Sequence, residues 1–319
     1  MSFIQISRKV SLLLIFLVQL NLIGSCLGAR KLTSLYQPPP MSLTYQKGPL
    51  LEGALPVSIL WYGKFSPVQK SIVVDFLLSL NPEKKHHLNT DLSVSAQPSV
   101  YKWWSTIQTY MKKAGKKETR ILLSNQFSDQ NCSLGKILKR NQVSELAQKA
   151  NSKQGALTLV LTAKDVAVEG FCMSNCGFHG SNTNHDSAFI WVGDSVSQCP
   201  GQCAWPFHQP MYGPQTAPLG APNGDVGVDG MIVNIASLLA GTVTNPFGNG
   251  YFVGAAEAPM EVASACTGVY GKGAYPGYAG ELLVDPSTDA SYNALAVNGR
   301  KYLLPALFDP STSLCSIVV

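Results

Sequence analysis

Charge is scarce in this 319-residue chain: Asp, Glu, Lys and Arg together make 13% of it, and the formal net charge is only +5. Arg8 and Lys9 fall in a leader that is expected to be removed, which leaves about +3. That is too weak a field to hold nucleic acid. Long apolar runs are missing as well. The best one, Val10 to Val18, has the length of a signal h-region and is too short for a bilayer, which takes about 20 residues. No membrane span is therefore expected. The chain has no G-x-S-x-G elbow, no P-loop and no G-x-G-x-x-G fingerprint, so serine-hydrolase, nucleotide and dinucleotide sites have no sequence support. Nor is there an internal repeat. The acidic, Gly-rich stretch from Gly224 to Gly230 lacks the closing Glu of an EF-hand; Ala236 stands there.

What is plentiful points outward from the cell. Ser7-Arg8-Lys9, the apolar run and Leu27-Gly28-Ala29 before Arg30 build a secretory signal peptide over residues 1–29. Ile23-Gly24-Ser25-Cys26 loosely resembles a lipoprotein cleavage site, the alternative reading. Residues 30–54, with Gln37-Pro38-Pro39-Pro40, are expected to form an extended leader. Residues 55–319 are expected to form one globular domain. Cleavage removes Cys26 and leaves seven cysteines: Cys132, Cys172, Cys176, Cys199, Cys203, Cys266 and Cys315. An oxidising compartment makes disulfides the default, and an odd number leaves at least one thiol over. The two C-x3-C pairs, with His179, His185 and His208 beside them, also have the look of a zinc site. Disulfides pinning a long loop are the simpler reading, in any of three connectivities. Asn131-Cys132-Ser133 is an N-glycosylation sequon.

Hydrophobic patterning indicates a mixed α/β (α+β) fold with a central mixed sheet and flanking helices. Strands are predicted from Val57, over 119–126, 157–162, 166–168 and 189–192, and near 280–284 and 294–297. Ser66 is predicted to cap a helix that starts at Pro67 and buries Val68, Ile72, Val73, Phe76 and Leu77. A second helix is predicted over 99–113. Its adjacent Trp103 and Trp104 cannot both face one side, which predicts partial exposure of one. A short helix is predicted over 142–150, and an apolar one over 230–244 with Asp229 as its cap. Residues 170–187 read as irregular, and 198–227 as a covering loop.

Several runs are unusual enough to carry a resemblance: ILWYGKF from Ile59, CMSNCGFHGS from Cys172, CAWPFHQPMY from Cys203, LLAGTVTNPFGNGY from Leu238 and GAYPGYAG from Gly273. Together they resemble the plant EXORDIUM family, also called the phosphate-induced protein family. The resemblance implies a secreted apoplastic protein tied to cell expansion and brassinosteroid-promoted growth. It implies no reaction.

Candidate chemistry centres on the 230–244 helix. Helical spacing places Asn234, Ser237 and Gly241 on one side. Ser237 to Gly241 occupies the spacing of a zincin H-E-x-x-H helix, and Glu261 follows where a zincin-like protein carries a further ligand. Glu261 matches such a ligand; Ser237, Leu238 and Gly241 do not. The expectation is a zincin-like scaffold without its metal, set against a helix whose small residues permit close packing. His179 and His185 could orient a ligand or move protons. Trp205, Tyr212, Tyr270, Tyr275 and Tyr278 could stack on sugars or cap the core. No catalytic residue, metal or cofactor is assigned. The leading class is a binding protein whose partner is an extracellular ligand, a wall polysaccharide or a receptor. A secreted hydrolase, either a divergent zincin or a carbohydrate-active enzyme, is the alternative, and a structural wall protein a third.

Overall fold

A computed structural model describes residues 41–82, 97–150, 154–173, 175–182, 184, 186–255 and 258–319. The signal segment and residues 30–40 of the leader lie outside the described residues. Strand β1 (Thr44–Tyr45) is followed by β2 (Ala54–Tyr62), α1 (Pro67–Ser79), α2 (Val100–Lys113), β3 (Arg120–Asp129), β4 (Ile137–Leu138) and α3 (Arg140–Ala150). Next come β5 (Leu157–Thr162), β6 (Ala167–Val168), β7 (Gly177–Ser181), β8 (Ala188–Gly193), α4 (Pro200–Cys203), α5 (Val226–Thr244) and β9 (Tyr251–Phe252). Three short antiparallel pairs close the chain: 283–284 with 291–292, 294–295 with 301–302, and 307–309 with 314–316.

Five strands make the central sheet in the order β3-β2-β5-β8-β7; the first four are parallel and β7 runs antiparallel at the edge. Alternation along each strand divides two cores. Val57, Ile59, Trp61, Leu157, Leu159, Leu161, Ile190 and Val192 face α1, α2 and α5. Leu60, Tyr62, Val160, Phe189 and Trp191 face α3. Covered on both sides, β5 and β8 are buried throughout, as parallel strands in a three-layer fold must be.

Local chemistry fixes the helix ends. At α1 the amide of Gln69 donates to Ser66 Oγ (3.1 Å) while the amide of Ser66 donates to Gln69 Oε1 (2.9 Å), a reciprocal box with Pro67 in the first turn. Val68, expected on the buried face, is instead 61% exposed. Both tryptophans of α2 are buried, against the expectation that one would be partly exposed. The helix is covered on two sides: Trp103 Nε1 donates to the Pro305 carbonyl (2.7 Å) and Trp104 Nε1 to that of Thr119 (3.3 Å).

Three further differences have clear causes. Residues 41–53, assigned to the leader, pack on the body: Leu43, Leu50 and Leu51 are buried, β1 pairs with β9, and the Tyr45 and Tyr251 rings stack at 4.7 Å. The segment 170–187, expected to be irregular, contains β7. Helix α5 begins four residues early, with Asp225 rather than Asp229 as its cap, accepting from the Val228 amide (3.0 Å). Its first turn lies so close to Asp194 that a Cβ on Gly227 would sit 2.3 Å from Asp194 Oδ1. At 19 residues, α5 is the one helix among the described residues long and apolar enough to cross a membrane, but most of it is buried inside the protein.

The cysteines form Cys172–Cys199, Cys176–Cys203 and Cys266–Cys315, and Cys132 stays a free, buried thiol. The zinc reading of the C-x3-C pairs therefore gives way to two parallel rungs tying the β7 entry to α4. Each closed loop removes about 3–4 kcal/mol of unfolded-chain entropy. Denatured without reductant, protein recovered from outside expressing cells should titrate as a single thiol; three or more would contradict this pairing.

Asp229 is buried in the first turn of α5, where Asn223 donates to it from its backbone amide (2.8 Å) and its Nδ2 (2.6 Å). Burial outweighs those bonds and pushes the carboxyl up to about 7. The unfolded chain holds it near about 4. Its contribution to stability is thus fully present below about pH 4 and lost as pH rises toward 7, worth about 4 kcal/mol at most. Thermal unfolding should show wild type gaining on Asp229→Asn as pH falls from 7 to 4. A constant offset between the two proteins would refute the shift.

Candidate functional site

Strand β7 carries His179 opposite Ile190, on the face that packs against α5. The strand is glycine-rich because it is crowded. A Cβ on Gly177 would lie 2.4 Å from the Trp191 carbonyl oxygen and 2.7 Å from Leu238 Cδ1 of α5; one on Gly180 would lie 2.9 Å from the Phe189 ring. A side chain at Gly177 would push the helix and the edge strand apart, and one at Gly180 would displace the Phe189 ring. Two disulfides just before and after this strand's partner region hold the approach in place.

His179 Nε2 lies 3.1 Å from both Oε1 and Oε2 of Glu261. Asn245 Nδ2, at the C-terminal end of α5, donates to Glu261 Oε1 at 2.7 Å. Asn245 is itself fixed: its amide donates to the Gly241 carbonyl (2.7 Å) and its Oδ1 accepts from the Gly250 amide (2.7 Å). Beneath the carboxylate is Gly241, where a Cβ would come 2.2 Å from Glu261 Oε2. The Glu261 backbone is anchored in turn. Its amide donates to Ser264 Oγ (2.7 Å), and its carbonyl accepts from Ala265 (2.8 Å), in the turn leading to Cys266 and its disulfide. Side-chain exposures of 17% for His179 and 12% for Glu261 make this a largely buried pair, open to solvent along one side. His179 Nδ1 is buried without a hydrogen-bond partner.

Of the sequence candidates, His179, Gly241 and Glu261 come together. Asn234, on the same side of α5, instead donates from Nδ2 to the Cys203 and Gly230 carbonyls (both 2.9 Å), tying the helix to α4. Ser237 Oγ donates to the Val233 carbonyl (2.9 Å) of its own helix. His185 lies outside the described residues. His208 is exposed in the loop after α4, away from any cysteine ligand set, since those thiols are paired. Asn131 is exposed and Cys132, the middle residue of its sequon, is unpaired. Sequence reasoning missed Asn245. Its place before Pro246 reads as a helix stop, and a stop gives no hint that the side chain reaches 16 residues onward.

The zincin-like expectation gains no support. At the two spacings where that helix carries metal-binding side chains stand a hydroxyl turned back on its helix and a glycine; Leu238 packs on Gly177. Among the described residues, no three His, Cys, Asp or Glu side chains are grouped to hold a metal. Glu261 is instead satisfied by a histidine and an amide. This is a charged hydrogen-bonded clamp joining the edge strand, the end of α5 and the Glu261 turn.

The geometry gives a stability prediction. Gly241→Ala should cost about 1–3 kcal/mol by overpacking. Removing Glu261 in that background should recover part of the loss, so denaturation of Gly241→Ala, Glu261→Ala and the double variant should be non-additive. Additive costs would mean that Gly241 and Glu261 do not meet.

The family described as phosphate-induced protein 1 conserved region matches residues 43–318. Protein PHOSPHATE-INDUCED 1 of Nicotiana tabacum is 54% identical over 317 residues, covering 97% of this chain and 98% of that one. Protein EXORDIUM of Arabidopsis thaliana is 51% identical over 309 residues (94% and 96%), and Protein EXORDIUM-like 2 of the same plant 51% over 292 (90% and 92%). No solved structure matches the chain. These names fit a growth-related plant protein, and the disulfides fit export. With the match running through both halves of the clamp, from His179 on β7 to Glu261, the chain belongs to the EXORDIUM and phosphate-induced protein family.

Proposed function

We infer that this protein acts in the apoplast, where it promotes cell expansion within brassinosteroid-dependent growth, and that it acts by binding rather than by catalysis. The signal segment, three disulfides and the family resemblance support the address and the process. One observation carries the mode of action: the carboxylate best placed for chemistry is engaged by both His179 and Asn245 over a helix face that supplies no further reactive group. A base needs a lone pair free to reach a substrate proton. In this clamp both carboxylate oxygens are engaged in holding three elements together. The partner is then an extracellular ligand, a wall polysaccharide or a receptor, bound on the surface that the clamp keeps rigid.

Glu261→Gln separates this reading from hydrolysis, because it keeps the side chain's shape and an acceptor oxygen but abolishes carboxylate basicity. Purified variant with a wild-type melting profile should promote elongation of plant segments as wild type does. A fully folded variant without growth activity would overturn the binding reading in favour of an enzyme.

A further inference from the structure

The five loop aromatics separate into two groups in the folded chain. Tyr270 is buried and Trp205 packs on it, ring centroids 5.6 Å apart, inside a small core with Phe207, Val233 and Leu303. Tyr212, Tyr275 and Tyr278 remain outside, 83%, 65% and 38% exposed. Burial is the ordinary fate of aromatic side chains, so three held in water on adjoining loops call for a reason.

They are also held still. Tyr275 and Tyr278 close a tight turn on each other, amide to carbonyl in both directions at 3.0 and 2.8 Å, and their rings lie 5.1 Å apart. Gly277 turns that corner at φ +91°, with Pro214 of the Tyr212 loop so close beneath that a Cβ would be 2.6 Å from Pro214 Cβ. Thr216 Oγ1 donates to the Gly277 carbonyl (3.0 Å), joining the two loops. The Tyr212 loop is anchored again by the Met211 amide to the Gly201 carbonyl (3.0 Å) and the Leu219 amide to that of Pro206 (2.9 Å). Loops whose backbone is fixed in this way lose little conformational entropy on binding.

Charge selects the partner. Residues 209–224 and 273–280, which build this surface, contain no Asp, Glu, Lys or Arg. The charges at the base of the turn, Lys272 and Glu281, stand opposite each other across a bridge and cancel, so an anionic polymer or an anionic membrane would find no net positive charge here. What the surface offers is aromatic faces, phenolic hydroxyls and backbone amides. A pyranose ring has the matching form, with apolar C–H faces and a rim of hydroxyls. We propose that Tyr212, Tyr275 and Tyr278 form a platform for a neutral polysaccharide, a chain of uncharged pyranose units whose ring faces stack on the tyrosines. The proposal rests on the reading of the protein as an extracellular binder and names the class of partner.

The test is affinity electrophoresis of the mature protein through gels containing xyloglucan, a neutral wall glucan, or polygalacturonate, an anionic one. Wild type should be retarded by xyloglucan, unchanged between low and high salt. Tyr212→Ala and the Tyr275→Ala/Tyr278→Ala pair should each bind at least tenfold more weakly while melting as wild type does. The three positions are exposed, so the fold does not depend on these rings, and the buried Tyr270→Phe serves as a variant that should leave retardation intact. Overturning results are no retardation of wild type by xyloglucan, retardation unaffected by the tyrosine changes, or salt-sensitive retention on polygalacturonate alone. Elongation assays with the same variants keep the two readings apart. Growth promotion by a wild-type protein that ignores xyloglucan would sink the platform and spare the extracellular binder; xyloglucan binding with no growth promotion would spare the platform and sink the growth role.

Discussion

The hydrogen-bonded contact of the Glu261 carboxylate with His179 and Asn245 is the constraint on which the packing of β7, the end of α5 and the Glu261 turn depends. Three elements meet at one carboxylate: an edge strand, the end of α5, and a turn that leads into a disulfide. A largely buried carboxylate is costly unless its acceptors are used. Here they are used, so removing either partner leaves an unsatisfied polar group, at about 1–3 kcal/mol. The glycines follow from the same contact. Gly241 leaves room for the carboxylate, and Gly177 lets Leu238 and the helix come up against β7.

The disulfides serve that arrangement from the other side. Cys172–Cys199 and Cys176–Cys203 fix the entry to β7 against α4, and Asn234 then bonds the Cys203 carbonyl from α5. Cys266–Cys315 holds the turn after Glu261 to the C-terminal hairpin. Cross-links and clamp therefore act on the same elements, and the compartment in which disulfides persist is the one in which this half of the molecule is fully held. The long loop after α4 and the Tyr275–Tyr278 turn grow from this fixed base.

Much of the framework is legible in the sequence. The Ser66–Pro67 helix start, the buried run at 157–162, the second helix and the short helix before β5 follow from capping and periodicity that tertiary context does not override. What escaped is where tertiary packing alone sets the answer. Strand β7 reads as a loop because Gly177 and Gly180 have poor strand propensity; they are there because a carbonyl, Leu238 and Phe189 leave no room for a Cβ. Helix α5 starts early because Asp225 caps it, and Asp229, the better-looking cap beside the apolar run, is buried against Asn223. His179, Gly241 and Glu261 are each visible as candidates, but their meeting is not, since 82 residues separate His179 from Glu261. Asn245 looked only like a helix stop.

The most direct measurement is native-state hydrogen exchange on wild type and Glu261→Ala. If the carboxylate joins the three elements, protection should fall together in Gly177–Ser181 and in the last turn of α5, while β2 and β5 keep their wild-type values. Unchanged protection of β7 in the variant would show that the edge strand is held without Glu261 and would contradict the account.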